Sequence, residues 1–139
     1  MPTLYPYRIF ISHAWKYGSE YSRLVQLLDS AKYFSYYNYS APKERPLELS
    51  SPSATTSEIK RAITNKIRNA QVVLVLGGMY ASYHEWMEYE VDEALRMGKP
   101  LIVVKPWGQE YVPQYLQRCA TEIVGWNTDS IVGAIRRNY

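Results

Sequence analysis

The sequence predicts a single α/β domain built on a parallel sheet, and three observations carry that reading. Strand and helix patterns alternate five times along the chain, which right-handed crossovers fold into a doubly wound sheet. Two runs, Val72 to Leu76 and Leu101 to Val104, are apolar at every position, as strands covered by helices on both faces require. The 139 residues, 47% of them hydrophobic, suffice for one core and leave no material for a second, so residues 1–139 read as one domain.

Tyr7 to Ile11, rich in β-branched and aromatic residues, reads as the first strand and opens at Ser12-His13 into a loop that holds Trp15. A helix is expected from Ser19, with Tyr21, Leu24, Val25, Leu28 and Ala31 at the spacing of a buried face. The tyrosine-rich tract Tyr33 to Ser40 has the propensity of a second strand. Ala41 to Thr55 carries Pro42, Pro46 and Pro52 among serines and charges, which makes it a long surface loop with the length of a lid. Thr55-Thr56-Ser57-Glu58 has the spacing of a capping box, and Ile59, Ala62, Ile63, Ile67 and Ala70 mark the helix behind it. Val72 to Leu76 is then the central strand, followed by Gly77 and Gly78 and by a helix ending near Gly98. Leu101 to Val104 repeats the apolar run, and Pro113 suits the first turn of a short helix reaching Arg118. Glu122 to Val124 is a brief edge strand, and Ile131, Ala134 and Ile135 mark a last helix begun near Asn127 or Thr128. The strand order that results is flavodoxin-like, 2-1-3-4-5.

The helix before Gly98 carries the residue that does not fit. At about 100° per residue, Met87, Val91, Ala94 and Leu95 share an arc and Glu85, Glu88, Asp92 and Arg96 take the opposite one. Gly98 can take the left-handed cap and Pro100 ends the ladder. Glu90 falls off the polar arc, beside the core stripe, with Trp86 a turn before it and Ala94 and Met97 after it. A carboxylate there either bends outward to cap a loop or is used, because burying it unpartnered costs desolvation. The preceding loop leaves the carboxyl end of a strand, where open α/β sheets bind ligands.

Composition excludes several functions. A net charge of +3 and a pI near 8.9, with basic residues dispersed among acids, do not favour nucleic acid. Cys119 stands alone and at helical spacing from Tyr115 and Leu116, so it reads as packing in a reducing cytosol. No signal peptide and no stretch of about twenty apolar residues is visible, so a cytoplasmic protein without a membrane span is expected. A phosphoacceptor receiver would need acids where Ser12-His13 and Gly77-Gly78 stand. There is no Walker A loop, no dinucleotide fingerprint, no flavodoxin phosphate loop and no metal-ligand spacing around His13 or His84.

Arg8-Ile9-Phe10-Ile11-Ser12-His13 resembles the opening strand of Toll/interleukin-1 receptor (TIR) domains. Ile67 through Glu90, with Val72 to Leu76, Tyr80, Ser82 and Trp86 four residues before Glu90, resembles their third strand, loop and catalytic helix. Ile11-Ser12-His13-Ala14-Trp15 together with Gly98-Lys99-Pro100-Leu101-Ile102 is most similar to the bacterial TIR-like proteins of the ThsB type, from Thoeris anti-phage systems. Arg8, Gly77 and Met87 depart from the residues common in TIR domains at those places. The resemblance implies cleavage of the nicotinamide-ribose bond of NAD+, with NAD+ as substrate and no resident cofactor or metal. It implies Glu90 as the catalytic carboxylate, with Trp86 and Trp15 walling the site. Ser12, His13, Gly77, Gly78 and Ser82 would bind ribose and phosphates. A lone domain of this kind would make a cyclic or conjugated ADP-ribose signal for a separate effector protein, and self-association into a homo-oligomer stays open. A non-catalytic TIR-like scaffold and a nucleoside deoxyribosyltransferase-like enzyme are the alternatives.

Overall fold

A computed structural model describes residues 6–12, 18–39, 56–77, 84–105 and 112–138, with the side chains of 18–20, 56–59 and 84–86 left aside. The elements are β1 (Tyr7–Ser12), α1 (Gly18–Asp29), β2 (Tyr36–Asn38), α2 (Thr56–Asn69), β3 (Val72–Leu76), α3 (His84–Arg96), β4 (Leu101–Val104), α4 (Gln114–Cys119), β5 (Glu122–Val124) and α5 (Thr128–Asn138). The sheet is parallel throughout, in the order β2-β1-β3-β4-β5, as the alternation of patterns predicts. The loop at 41–55 lies outside the described residues.

β3 and β4 are buried at every position, which is why their sequences show no alternation. Helices cover both faces of the sheet: α2 packs on α3, and α1 packs on α5. Leu24 and Leu28 of α1, Ile63 and Ile67 of α2, Met87, Val91 and Ala94 of α3, and Ile131, Ala134 and Ile135 of α5 fill the two layers. Asn127 starts α5, its side-chain Oδ1 accepting the Ser130 N–H at 2.8 Å.

Two expectations need correction. The second strand is three residues long rather than the whole of Tyr33 to Ser40. Tyr33 takes a left-handed φ of 58° in the turn, and among the described residues the Tyr7 N–H to Ser35 O and Tyr39 N–H to Ile9 O bonds extend the pairing. Phe34 stacks on Tyr7 with ring centroids 5.2 Å apart, so the aromatic tract folds against the sheet edge instead of lengthening it. The buried arc of α3 is also rotated from the one the apolar residues suggest. Leu95 is 40% exposed, whereas Glu90, on the other side of the line through Met87, Val91 and Ala94, is 1% exposed, so the buried arc is turned toward Glu90.

α3 is held at both ends. Gly98, at φ 70°, lets the Lys99 N–H reach back to the Ala94 carbonyl at 2.9 Å, the six-to-one bond of a Schellman cap. On its flanks, Thr64 Oγ1 shares a hydrogen bond with Tyr89 Oη and donates to Glu93 Oε1, and Tyr115 Oη donates to Asp92 Oδ1. These bonds tie the helix to α2 and α4.

Candidate active site

Ser12 ends β1, in register with Val75 of the central strand, and its side chain is fully buried. Glu90 reaches it from the middle of α3. The Ser12 hydroxyl donates to Glu90 Oε1 at 2.5 Å, between residues 78 apart in sequence. Among the described residues these are the two buried polar side chains, and they are bonded to each other through one carboxyl oxygen. The pairing follows from topology: β1 and β3 are neighbours, and the helix after β3 returns across both of them.

Burial pushes the Glu90 carboxyl up to about 8, while the Ser12 hydroxyl pulls in the opposite direction by favouring the charged form. No charged group among the described residues acts on it. Near pH 7 the neutral acid therefore predominates, and the carboxylate forms only when something favours it. A group with that behaviour can hold a proton for a leaving group or, once ionised, face a developing cation.

The structure brings Ser12 and Glu90 together at the carboxyl edge of the sheet, with Gly77 directly after β3 and buried. The reason for glycine at 77 is packing. A Cβ there would lie 3.2 Å from Val103 Cγ1 and 3.3 Å from the Val104 carbonyl oxygen, so the backbone runs tight against β4 and against Val112. Trp86 is in α3, one turn before Glu90, and its side chain is outside the description. His13, Trp15, Gly78 and Ser82 lie outside the described residues.

Sequence reasoning gave Ser12 to the substrate and did not foresee that its proton goes to Glu90. It also missed Thr64, Tyr89 and Glu93, which fix the helix. The signal available for them was the spacing of Tyr89 and Glu93, four residues apart on one flank. Two open grooves of about 460 and 340 Å³ occur elsewhere, beside Arg136 and beside Trp126, and neither is lined by Ser12, Gly77 or Glu90. Among the described residues no group of three His, Cys, Asp or Glu side chains could hold a metal ion, and no helix is long and apolar enough to cross a membrane.

A parallel 2-1-3-4-5 sheet with a buried glutamate on the helix after its central strand defines a flavodoxin-like α/β domain with a candidate carboxylate site. The profile of the family described as "Thoeris protein ThsB, TIR-like domain" matches residues 10–111, and the chain belongs to that family. Among solved structures it is similar to a conserved protein from Enterococcus faecalis V583, at 14% identity and a TM-score of 0.66, over 96% of this chain and 99% of that one. It is also similar to the CMP N-glycosidase BcmB of Clostridium botulinum, at 16% identity and a TM-score of 0.53, over 94% of this chain and 98% of that one. At those identities the likeness is one of fold. A search among curated proteins found no match.

Proposed function

We propose that this chain is an N-glycosidic bond-cleaving enzyme of the TIR-like class, that its substrate is NAD+, and that Glu90 carries the reaction. The observation that supports this best is a fully buried glutamate that has, among the described residues, one neutral partner, at the carboxyl edge of the sheet. Such a group costs stability and is retained for use. The nicotinamide of NAD+ leaves as a neutral base from a cationic ring, so the bond needs little acid assistance. What needs stabilising is the ribosyl cation left behind, and an ionised Glu90 does that through its charge and through the ribose hydroxyls. The positive ring of the bound substrate favours the carboxylate, so the proton that Glu90 holds before binding departs when NAD+ binds. His13, Trp15, Gly78, Ser82 and Trp86 are proposed to complete the pocket, the tryptophans as its dry walls.

If water captures the cation, the product is linear ADP-ribose. If water is kept out, a hydroxyl of the same molecule, a base nitrogen or another small molecule attacks instead, giving a cyclic or conjugated ADP-ribose. Membership of a Thoeris family favours the second outcome, with the product read by a separate effector protein during phage infection. The test has two arms. Purified protein incubated with NAD+ is expected to release nicotinamide, and Glu90→Gln to abolish release while staying folded by circular dichroism. Extracts of phage-infected cells expressing the chain are expected to hold a Glu90-dependent ADP-ribose derivative by chromatography. Turnover retained by folded Glu90→Gln removes Glu90 from the mechanism, and linear ADP-ribose as the sole product replaces signalling with NAD+ depletion.

A second reading has its own support. A glutamate kept neutral by burial suits donating a proton to the uncharged base of a nucleotide, and the fold is shared with a protein described as a CMP N-glycosidase. The two readings have opposite pH dependence: NAD+ cleavage rises as Glu90 ionises through about pH 8, and a reaction needing its proton falls over the same range. A panel of NAD+, CMP and deoxynucleosides across that range separates them, and no turnover of any member favours an interaction scaffold.

A further inference from the structure

We propose that Ser12 is a positioning residue, which holds Oε1 of Glu90 so that the other carboxylate oxygen faces the reacting ribose, rather than a residue that binds substrate through its hydroxyl proton. This inference rests on the reading of Glu90 given above. A serine hydroxyl has one proton to donate, and here it is committed to Glu90 at 2.5 Å in a site where both side chains are buried. The serine is on a strand, its backbone fixed by parallel pairing to Val75, so the sheet sets the position of the donor. Glu90 by contrast sits on a long side chain that needs a partner to hold one rotamer.

The surroundings leave that task to Ser12. β3 and β4 offer only Val, Leu and Ile side chains. On β1 the charged residue is Arg8, exposed at the far end and bonded through Nε to the Asn69 carbonyl. On α2, Lys60, Arg61 and Arg68 are exposed, Lys66 is half-buried, and the Lys60 ammonium sits over the Tyr89 ring. On α3 itself Glu88 is exposed, Glu93 is engaged with Arg96 and Thr64, and Asp92 accepts from Tyr115. The ionised form of Glu90 therefore has one protein donor among the described residues, and removing it makes the carboxylate harder to form as well as less well aimed.

The test compares Ser12→Ala and Ser12→Thr with the native protein. The midpoint of Glu90 is read in the free protein by carboxyl ¹³C NMR with labelled glutamate, and kcat and KM for NAD+ are read between pH 6 and 9. Expected for Ser12→Ala is a midpoint raised by about one pH unit and a kcat/KM about tenfold lower at pH 7, the gap closing to about twofold at pH 9, since kcat/KM follows ionisation of the free protein and one pH unit is tenfold in the active form. Ser12→Thr, which keeps the hydroxyl, is expected to restore both. An unmoved midpoint, or a loss of kcat/KM of the same size at every pH, overturns the proposal and returns Ser12 to substrate contact. If native protein turns over no NAD+, that substrate reading falls by itself, while the NMR midpoint still decides whether Ser12 controls Glu90.

Discussion

Three acids on this chain show how surroundings set charge. Glu93 has the Arg96 guanidinium at 2.8 Å and Glu122 has that of Arg137 at 2.6 Å, and each is held below the ordinary carboxylate range, chiefly by those hydrogen bonds. Glu90 has no such partner among the described residues and is pushed up to about 8 by burial. Between the unfolded value of 4.5 and the folded value near 8, the native state binds more protons at Glu90 than the unfolded chain does. Stability from this group is thus fully present below pH 4.5 and is lost as pH rises toward 8, with a slope of at most about 1.4 kcal/mol per unit. The lowered acids act in a separate window, below their unfolded values, so they do not mask it. Urea unfolding at pH 5, 6.5 and 8 is expected to show the native protein weakening across the series and Glu90→Gln staying nearly level. Parallel curves for the two proteins would show that Glu90 is not buried as a neutral acid. The position of Glu90 was legible because helical periodicity places it among apolar residues. Its bond to Ser12 was not, because the predicted order sets β1 beside β3 but leaves open which side chains of the strand and of the helix, 78 residues apart, come into phase.

At the scale of elements, runs apolar on every residue read true, since β3 and β4 are buried on both faces. What periodicity could not supply was the extent of β2 or the rotation of α3. A tract of tyrosines has strand propensity at every residue, and the turn at Tyr33 and the stacking of Phe34 decide where pairing starts. A helix with a buried acid has its core arc displaced toward that acid, so the arc drawn through apolar residues alone took in Leu95 wrongly. The glycines separate two reasons for the same residue. Gly98 has open space around it and a φ of 70°, so Gly98→Ala is expected to cost about 1 kcal/mol through backbone strain, and Gly98→Asn less. At Gly77 the obstacle is space, because the Val104 carbonyl cannot step aside without disturbing the sheet, and Gly77→Ala is expected to cost about 1–3 kcal/mol. Denaturant midpoints measure both, and a Gly77→Ala protein as stable as native would mean that β4 yields there.

In the whole molecule, stability is graded from the centre of the sheet outward. β3 is hydrogen-bonded on both sides, with β1 and β4, and every residue of it is buried. β2 pairs along one edge over three residues, none of which is fully buried, and β5 is as short, with Ile123 37% exposed. Glu122 of β5 is clasped by Arg137 and Asn138, which gives that edge a brace from α5, while at the other edge Tyr36 bonds Asp29 and Asn38 bonds Tyr21, both at exposed positions. α3, tied to α2 through Thr64 and to α4 through Tyr115, belongs with the centre. Opening an edge exposes little apolar surface, whereas separating β3 from its neighbours requires both helical layers to come away. Native-state hydrogen exchange is therefore expected to find the amides of β3, β4 and the buried face of α3 exchanging only through global unfolding. The Tyr39 amide, bonded to the Ile9 carbonyl beside β2, should exchange through a smaller opening with weak denaturant dependence. Glu90→Gln should slow the first class at pH 8 much more than at pH 5, because the charge it removes is a burden only where Glu90 would ionise, and should leave the Tyr39 amide unchanged. Equal protection at Tyr39 and in β3, or an effect of Glu90→Gln that does not depend on pH, would contradict a molecule whose core is organised around a buried neutral acid.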